Sequence, residues 1–99
     1  MPEHPLKTIE DLDPKLFKLV QETQELALSD GVLPRKFKLL IALALDATHG
    51  TTDGVRALAQ AAMNAGATKE EIAETLRVTQ YVSGVGSIYT ASRALKDIV

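Results

Sequence analysis

The stretch Ala65-Gly-Ala-Thr-Lys-Glu-Glu-Ile72 contains the end of one helix and the start of another. Gly66 can adopt the left-handed conformation that commonly closes a helix. Thr68 and Glu71 have the spacing of a capping box, in which each side chain accepts a hydrogen bond from the other residue's backbone N–H. The stretch therefore predicts two helices joined by a short loop.

Three helices are predicted up to this stretch. Asp13-Pro14 begins the first, since Asp caps a helix and Pro fits its first position, and Asp30-Gly31 ends it. Leu33-Pro34 begins the second. From Leu39 to Leu45 this second helix is apolar on every side, which predicts burial in the core or between subunits. The third begins at one of residues 51–53, each of which is a residue type that caps helices.

Two further helices are predicted after it. The fourth runs from Thr68 through Val82, and Gly84-Val-Gly86 then interrupts the chain or allows tight packing. The fifth is expected from about Ser87 to Ile98. The sequence contains no two apolar runs joined by residues typical of a β-turn, which is the pattern that would predict a β-hairpin. It therefore indicates an all-α subunit of five helices with short loops.

The chain divides into an N-terminal arm, residues 1–12, and a single helical domain, residues 13–99. The arm contains Pro2 and Pro5 and is predicted to be extended. A domain of this length buries only about two thirds of its unfolded surface, so oligomerisation is a common source of further stability. We expect the domain to be built to oligomerise.

Composition excludes several classes of function. The net charge of −2 leaves no basic surplus for binding phosphates, so nucleic acid is not an expected partner. The absence of cysteine excludes disulfides, thiolate nucleophiles and Cys-zinc sites. No signal peptide and no membrane-spanning run are evident, so we expect a cytoplasmic protein without a membrane partner.

Three pieces of the sequence together resemble the carboxymuconolactone decarboxylase family, which includes the alkyl hydroperoxidase D-like proteins. They are Leu33-Pro-Arg-Lys-Phe-Lys-Leu-Leu-Ile-Ala-Leu-Ala44, Ala65-Gly-Ala-Thr-Lys-Glu-Glu-Ile72 and Tyr81-Val-Ser-Gly84. The resemblance covers roughly residues 14–98. It implies a compact helical subunit that assembles with itself as a trimer or hexamer, and either thiol peroxidase or decarboxylase chemistry.

The peroxidase residues of the resembled family are missing from this sequence. The family's Cys-x-x-Cys-x-x-x-His pattern falls on Thr51, Gly54 and Leu58, and its relay glutamate falls on Leu39. A thiol peroxidase requires a thiolate, which none of these residues supplies. We therefore expect a member whose redox site is degenerate, and Leu58 in place of His also weakens the decarboxylase interpretation.

Polar residues nevertheless remain where the second and third helices meet. Asp46 and His49 are three residues apart and share a face of a helix, so His49 is a candidate acid/base and Asp46 its orienting carboxylate. Arg56 is a candidate ligand for a substrate carboxylate. The alternatives are that His49 only bonds the last carbonyls of its helix and that Asp46 faces solvent. The other candidate ligand-binding residues at this junction are Thr51, Thr52 and Asp53.

A second cluster, Tyr81, Ser83 and Tyr89, lies around the turn between the fourth and fifth helices. A tyrosine hydroxyl there could donate to a ligand oxyanion, although tyrosines more commonly pack their rings and bond one carbonyl. No metal ligand set and no cofactor motif are expected, since a catalytic zinc usually has three protein ligands.

Two hypotheses of function remain open. In the first, the chain is a homo-oligomeric small-ligand-binding or structural module with an altered site. In the second, it is a non-redox lyase that acts on a small anionic carboxylate through His49 and Asp46. A pocket filled by the side chains of Leu39 and Leu58, with no room for a substrate, would favour the binding or structural module over the lyase.

Overall fold

The computed structural model describes residues 5–99, which form six α-helices and no strand. The helices are α1 (Lys7–Leu12), α2 (Pro14–Leu28), α3 (Arg35–Thr48), α4 (Thr52–Asn64), α5 (Lys69–Ser83) and α6 (Val85–Leu95). The all-α prediction is confirmed, and the five predicted helices correspond to α2–α6. None of the helices in residues 5–99 has the length and hydropathy that a bilayer-spanning segment requires.

The cap residues identified in the sequence set several of these boundaries. The side chain of Asp13 accepts a hydrogen bond from the backbone N–H of Leu16 at 3.1 Å, which caps α2. At the start of α5, Thr68 and Glu71 form both bonds of a capping box, at 2.9 and 3.0 Å. The capping box predicted from the sequence is therefore confirmed.

Helix α3 lies at the centre of the fold and packs against α2, α4, α5 and α6. Leu39 and Leu43 of α3 and Val55 of α4 are the largest fully buried side chains. Many of the other core residues are alanines, whose small side chains allow helix backbones to pack close together. The buried helical alanines are Ala47, Ala59, Ala62, Ala91 and Ala94. This small core is consistent with the low aromatic content of the chain.

The arm differs from its prediction, because Lys7–Leu12 form the short helix α1, which packs against α2. The Lys7 ammonium lies 3.5 Å from the Glu10 carboxylate and 3.1 Å from that of Asp11, and these pairs stabilise one helical turn. Residues 1–4 of the predicted arm lie outside the described residues.

The last helix also differs from its prediction, since α6 begins two residues before Ser87 and ends three residues before Ile98. Gly84 has a φ of 82°, which turns the chain sharply between α5 and α6. A Cβ atom at Gly84 or Gly86 would meet no heavy atom within 4 Å, so neither glycine is required for tight packing. Gly84 interrupts the chain between α5 and α6, whereas Gly86 lies within the first turn of α6. At the other end, the chain leaves the helical conformation at Lys96, which has a ψ of 132°, and Asp97 follows with a φ of 71°.

Candidate functional site

The junction between α3 and α4 is a tight turn. His49 is the C-cap of α3 and donates its backbone N–H to Leu45 at 3.1 Å. Thr51 is the N-cap of α4, and its backbone N–H donates to the carbonyl of Asp46 at 2.9 Å. The turn brings the last turn of α3 against the first turn of α4.

Asp46 and Gly54 are in close contact across this junction. A Cβ atom built on Gly54 would collide with the Asp46 Oδ2 atom and lie 2.9 Å from its Cγ atom. The carboxylate therefore occupies the space that any larger residue at position 54 would need. Since the N-terminus of a helix carries partial positive charge, α4 stabilises this carboxylate.

The carboxylate lies in a cleft between α2, α3 and α4 with a volume of about 660 Å³. Ligand pockets commonly have volumes of about 300–1,000 Å³. Among residues 5–99, Asp46 is the only charged residue of the lining, which also comprises Leu19, Val20, Thr23, Gln24, Ala27, Leu28, Ala42, Gly54, Ala57 and Leu58. The site is therefore an apolar cleft with one acidic group.

Helix α2 supplies more than half of this lining, and the sequence analysis did not assign it a role in the site. The signal was present, because Val20, Thr23, Gln24 and Ala27 have the spacing of one helical face. Thr23 and Gln24 are the polar members of that face. The Thr23 hydroxyl donates to the Leu19 carbonyl at 2.9 Å, which leaves its oxygen able to accept a bond from a ligand.

Among the residues that the resemblance assigns to redox chemistry, Gly54 and Leu58 line the cleft. Leu39 is only 1% exposed and belongs to the hydrophobic core. Leu58 is half-buried and leaves the cleft open. The two leucines therefore do not fill the pocket, so the feature that would have favoured the binding or structural module over the lyase is absent from the described residues.

His49 is exposed at the end of α3. Within residues 5–99, no hydrogen bond or ion pair joins the His49 imidazole to the Asp46 carboxylate. Thr51 and Asp53 are also exposed and Thr52 is half-buried, at the start of α4. Thr51 caps α4 by position only, because its side chain makes no capping hydrogen bond.

Arg56 of α4 forms hydrogen bonds with the C-terminal end of α6. Its Nη1 atom donates to the carbonyls of Ala94 at 3.1 Å and Lys96 at 2.9 Å, which are the last carbonyls of α6 and its cap. A cation at the C-terminus of a helix also interacts favourably with the helix dipole. Arg56 is not part of the cleft lining.

The second predicted cluster is divided between two environments. Tyr81 is 87% exposed and Tyr89 is 64% exposed, and neither lines the cleft. The half-buried Ser83 shares a hydrogen bond of 2.8 Å with the Thr48 hydroxyl, which ties the end of α5 to the end of α3. In residues 5–99, no three His, Asp or Glu side chains form a group that could hold a metal ion.

The basic residues at the start of α3 contact protein groups. The Arg35 guanidinium donates to the Leu28 carbonyl at 3.3 Å, and the Lys38 ammonium donates to the Ser29 carbonyl at 2.8 Å. Both bonds hold the C-terminus of α2 against α3. The Lys36 ammonium lies 3.0 Å from the Glu71 carboxylate on α5.

An all-helical subunit with an open cleft at the α3–α4 junction defines the class of protein, and comparison with known proteins identifies its family. The model of the carboxymuconolactone decarboxylase family matches residues 14–97. This chain belongs to that family, as the resemblance implied. No curated protein matches the chain significantly.

The fold is similar to the crystal structure of a carboxymuconolactone decarboxylase family protein from Legionella pneumophila, solved in its apo form. The two chains are 31% identical and superpose with a TM-score of 0.86. The match covers 92% of this chain and 81% of the other.

Proposed function

We propose that this chain is a homo-oligomeric, small-ligand-binding member of the carboxymuconolactone decarboxylase family without thiol peroxidase activity. The observation that carries the proposal is the open cleft between α2, α3 and α4 in a chain that has no cysteine. Without a thiolate, the family's peroxidase chemistry has no nucleophile. What remains at the same position is a pocket of ligand size.

Homo-oligomerisation is supported by the apolar side chains that one subunit leaves exposed. A shallow apolar groove between α3 and α5, which we call the α3–α5 groove, is lined by Phe37, Leu40, Ile41, Ala44, Leu45, Thr75 and Val78. Phe37, Ile41 and Leu45 follow each other at intervals of four residues, so they form one stripe along α3. Apolar surface of this kind marks an interaction site, and we propose that a second copy of the chain covers it.

Ligand binding is tested with the uncharged dye Nile red, whose fluorescence rises in an apolar environment. We expect the wild-type protein to bind the dye and Ala57→Trp to lose binding, because an indole at Ala57 would occupy the cleft. Gln60→Trp is the matched control, since Gln60 is an exposed α4 residue outside the lining. Equal dye binding by all three proteins would refute the cleft as the site.

A second candidate function is a non-redox lyase that acts on a small anionic carboxylate. One observation favours it: Asp46, the single charged residue in the part of the cleft that the structure describes, is followed three residues later by His49. On this proposal His49 is the acid/base and Asp46 orients it. Release of carbon dioxide from lactone carboxylates should then be lost in His49→Gln and Asp46→Asn. Full activity in both variants would eliminate this candidate.

A further inference from the structure

We infer that the cleft selects an apolar ligand with one cationic head group, such as an alkylammonium, which pairs with Asp46. The inference rests on the proposed ligand-binding function and names the chemistry of the ligand. Its basis is the distribution of charge around the cleft, in which the described lining combines one carboxylate, the uncharged polar side chains of Thr23 and Gln24, and otherwise apolar residues.

The Asp46 carboxylate has no compensating side chain. Among residues 5–99, no hydrogen bond or ion pair of its carboxylate oxygens to another side chain is present, and the residue is half-buried. A carboxylate that is partly withdrawn from water gains most from a charged hydrogen-bond donor. A primary ammonium supplies three N–H donors in a small volume, as the lysine side chain does.

Three basic side chains of α3 and α4 form hydrogen bonds with backbone carbonyls at the ends of other helices. Arg35 and Lys38 bond the last carbonyls of α2, and Arg56 bonds those of α6. None of the described residues that line the cleft is basic. An anionic ligand would therefore meet a like charge at Asp46 without a balancing cation.

The N-terminus of α4 does not reverse this preference. A helix N-terminus often binds anions through its free N–H groups and its dipole. Here the space beside the first turn of α4 is already taken, because the Asp46 carboxylate lies against Gly54. The protein's own acid is thus the anion at this helix end, and its charge faces the cleft.

The remaining lining is suited to the rest of such a ligand. Gln24 and Thr23 of α2 provide acceptor oxygens beside an otherwise apolar wall. Leu19, Leu28 and Leu58 provide the apolar surface that buries a hydrocarbon tail. One end of the ligand is then recognised by charge and the other by burial.

The test compares three probes that share an octyl tail: octylamine, octanol and octanoate. Isothermal titration calorimetry at neutral pH measures their affinities for the wild type, for Asp46→Asn and for Glu74→Gln. Glu74 is an exposed carboxylate of α5 outside the cleft, so its substitution makes the same change in net charge. Circular dichroism verifies that each variant is folded.

We expect the wild type to bind octylamine about tenfold more tightly than octanol, and octanoate most weakly, since a hydrogen bond between two charged groups is stronger than one between neutral groups. Asp46→Asn should reduce the preference for the amine to within about twofold, and Glu74→Gln should retain it. Tighter binding of octanoate, or an amine preference that persists in Asp46→Asn, would overturn the inference and leave the cleft as a binding site. Failure of all three probes to bind would overturn the proposed function and the inference together.

Discussion

At the scale of single residues, Asp46 determines the character of the site. A carboxylate near the C-terminus of α3 is electrostatically disfavoured by its own helix. The sequence suggested His49, three residues further along the same helix, as its partner. The structure instead places it against the first turn of α4, at Gly54. Spacing along one helix reveals neighbours on that helix, whereas this contact depends on how the next helix packs.

The contact between Asp46 and Gly54 predicts a coupling between the two positions. Ala is favoured over Gly within a helix by about 1 kcal/mol, so Gly54→Ala should stabilise a protein in which position 46 is small. In the wild type the new methyl group would collide with the Asp46 carboxylate and lie 3.1 Å from the Thr51 Cγ2 atom. We therefore expect Gly54→Ala to destabilise the wild type and to stabilise Asp46→Ala.

A double-mutant cycle measures this coupling by urea unfolding of the four proteins. We expect an interaction free energy of about 1–3 kcal/mol, within the range known for residues in contact. If Gly54→Ala had the same effect in both backgrounds, Asp46 would not occupy the space at Gly54.

At the scale of secondary-structure elements, caps and apolar spacing predicted helices α2–α6 because those signals are local in the chain. These local signals did not predict the end of α6, which depends on contacts with another helix. The carbonyls at the end of α6 accept hydrogen bonds from Arg56, which lies on α4. The helical turn at Lys7–Leu12 was missed for a different reason, since the prolines before it suggested an extended arm.

The capping box of α5 makes a prediction about pH. The backbone N–H of Thr68 and, secondarily, the Lys36 ammonium hold the pKa of Glu71 below its ordinary value of 4.5. A carboxyl group whose pKa is lowered by folding stabilises the protein above its unfolded-state pKa and loses that contribution as the pH falls through the folded-state pKa. The stabilisation by Glu71 should therefore be lost below about pH 4.5.

The urea concentration at the midpoint of unfolding, measured at neutral pH and in acid below pH 4.5, tests the prediction. The difference in stability between the wild type and Glu71→Gln should be largest at neutral pH and should shrink in acid. Glu70→Gln is the matched control, because Glu70 lies in the same first turn and has neither the bond to Thr68 nor the pair with Lys36. A difference for Glu71→Gln that is the same at neutral and acidic pH would contradict the assigned role.

At the scale of the whole molecule, α3 has two apolar faces with different surroundings. Leu43 is 0% exposed within the subunit, whereas Ile41 is 51% exposed and lines the α3–α5 groove. The sequence predicted burial of this helix in the core or between subunits, and the structure shows the first for Leu43. Apolar residues alone cannot indicate which face meets the core and which meets a partner.

These two positions give a matched pair of substitutions. Leu43→Lys places an unpaired charge in the core at a cost of several kcal/mol, comparable to the whole stability of a small domain, so the subunit should unfold. Ile41→Lys adds the same charge on the exposed face, so the subunit should remain helical and the oligomer should dissociate. Circular dichroism and sedimentation measure the two effects. An Ile41→Lys protein with unchanged oligomeric mass would show that this face is not an interface.

The central claim is that copies of this chain assemble and that each holds a small molecule in the cleft between α2, α3 and α4. Native mass spectrometry with added Nile red tests both parts in one measurement. We predict an oligomer, a trimer or hexamer, that carries one dye molecule per subunit, and an oligomer of Ala57→Trp that carries none. A wild-type protein that remains a dye-free monomer under the same conditions would contradict the account.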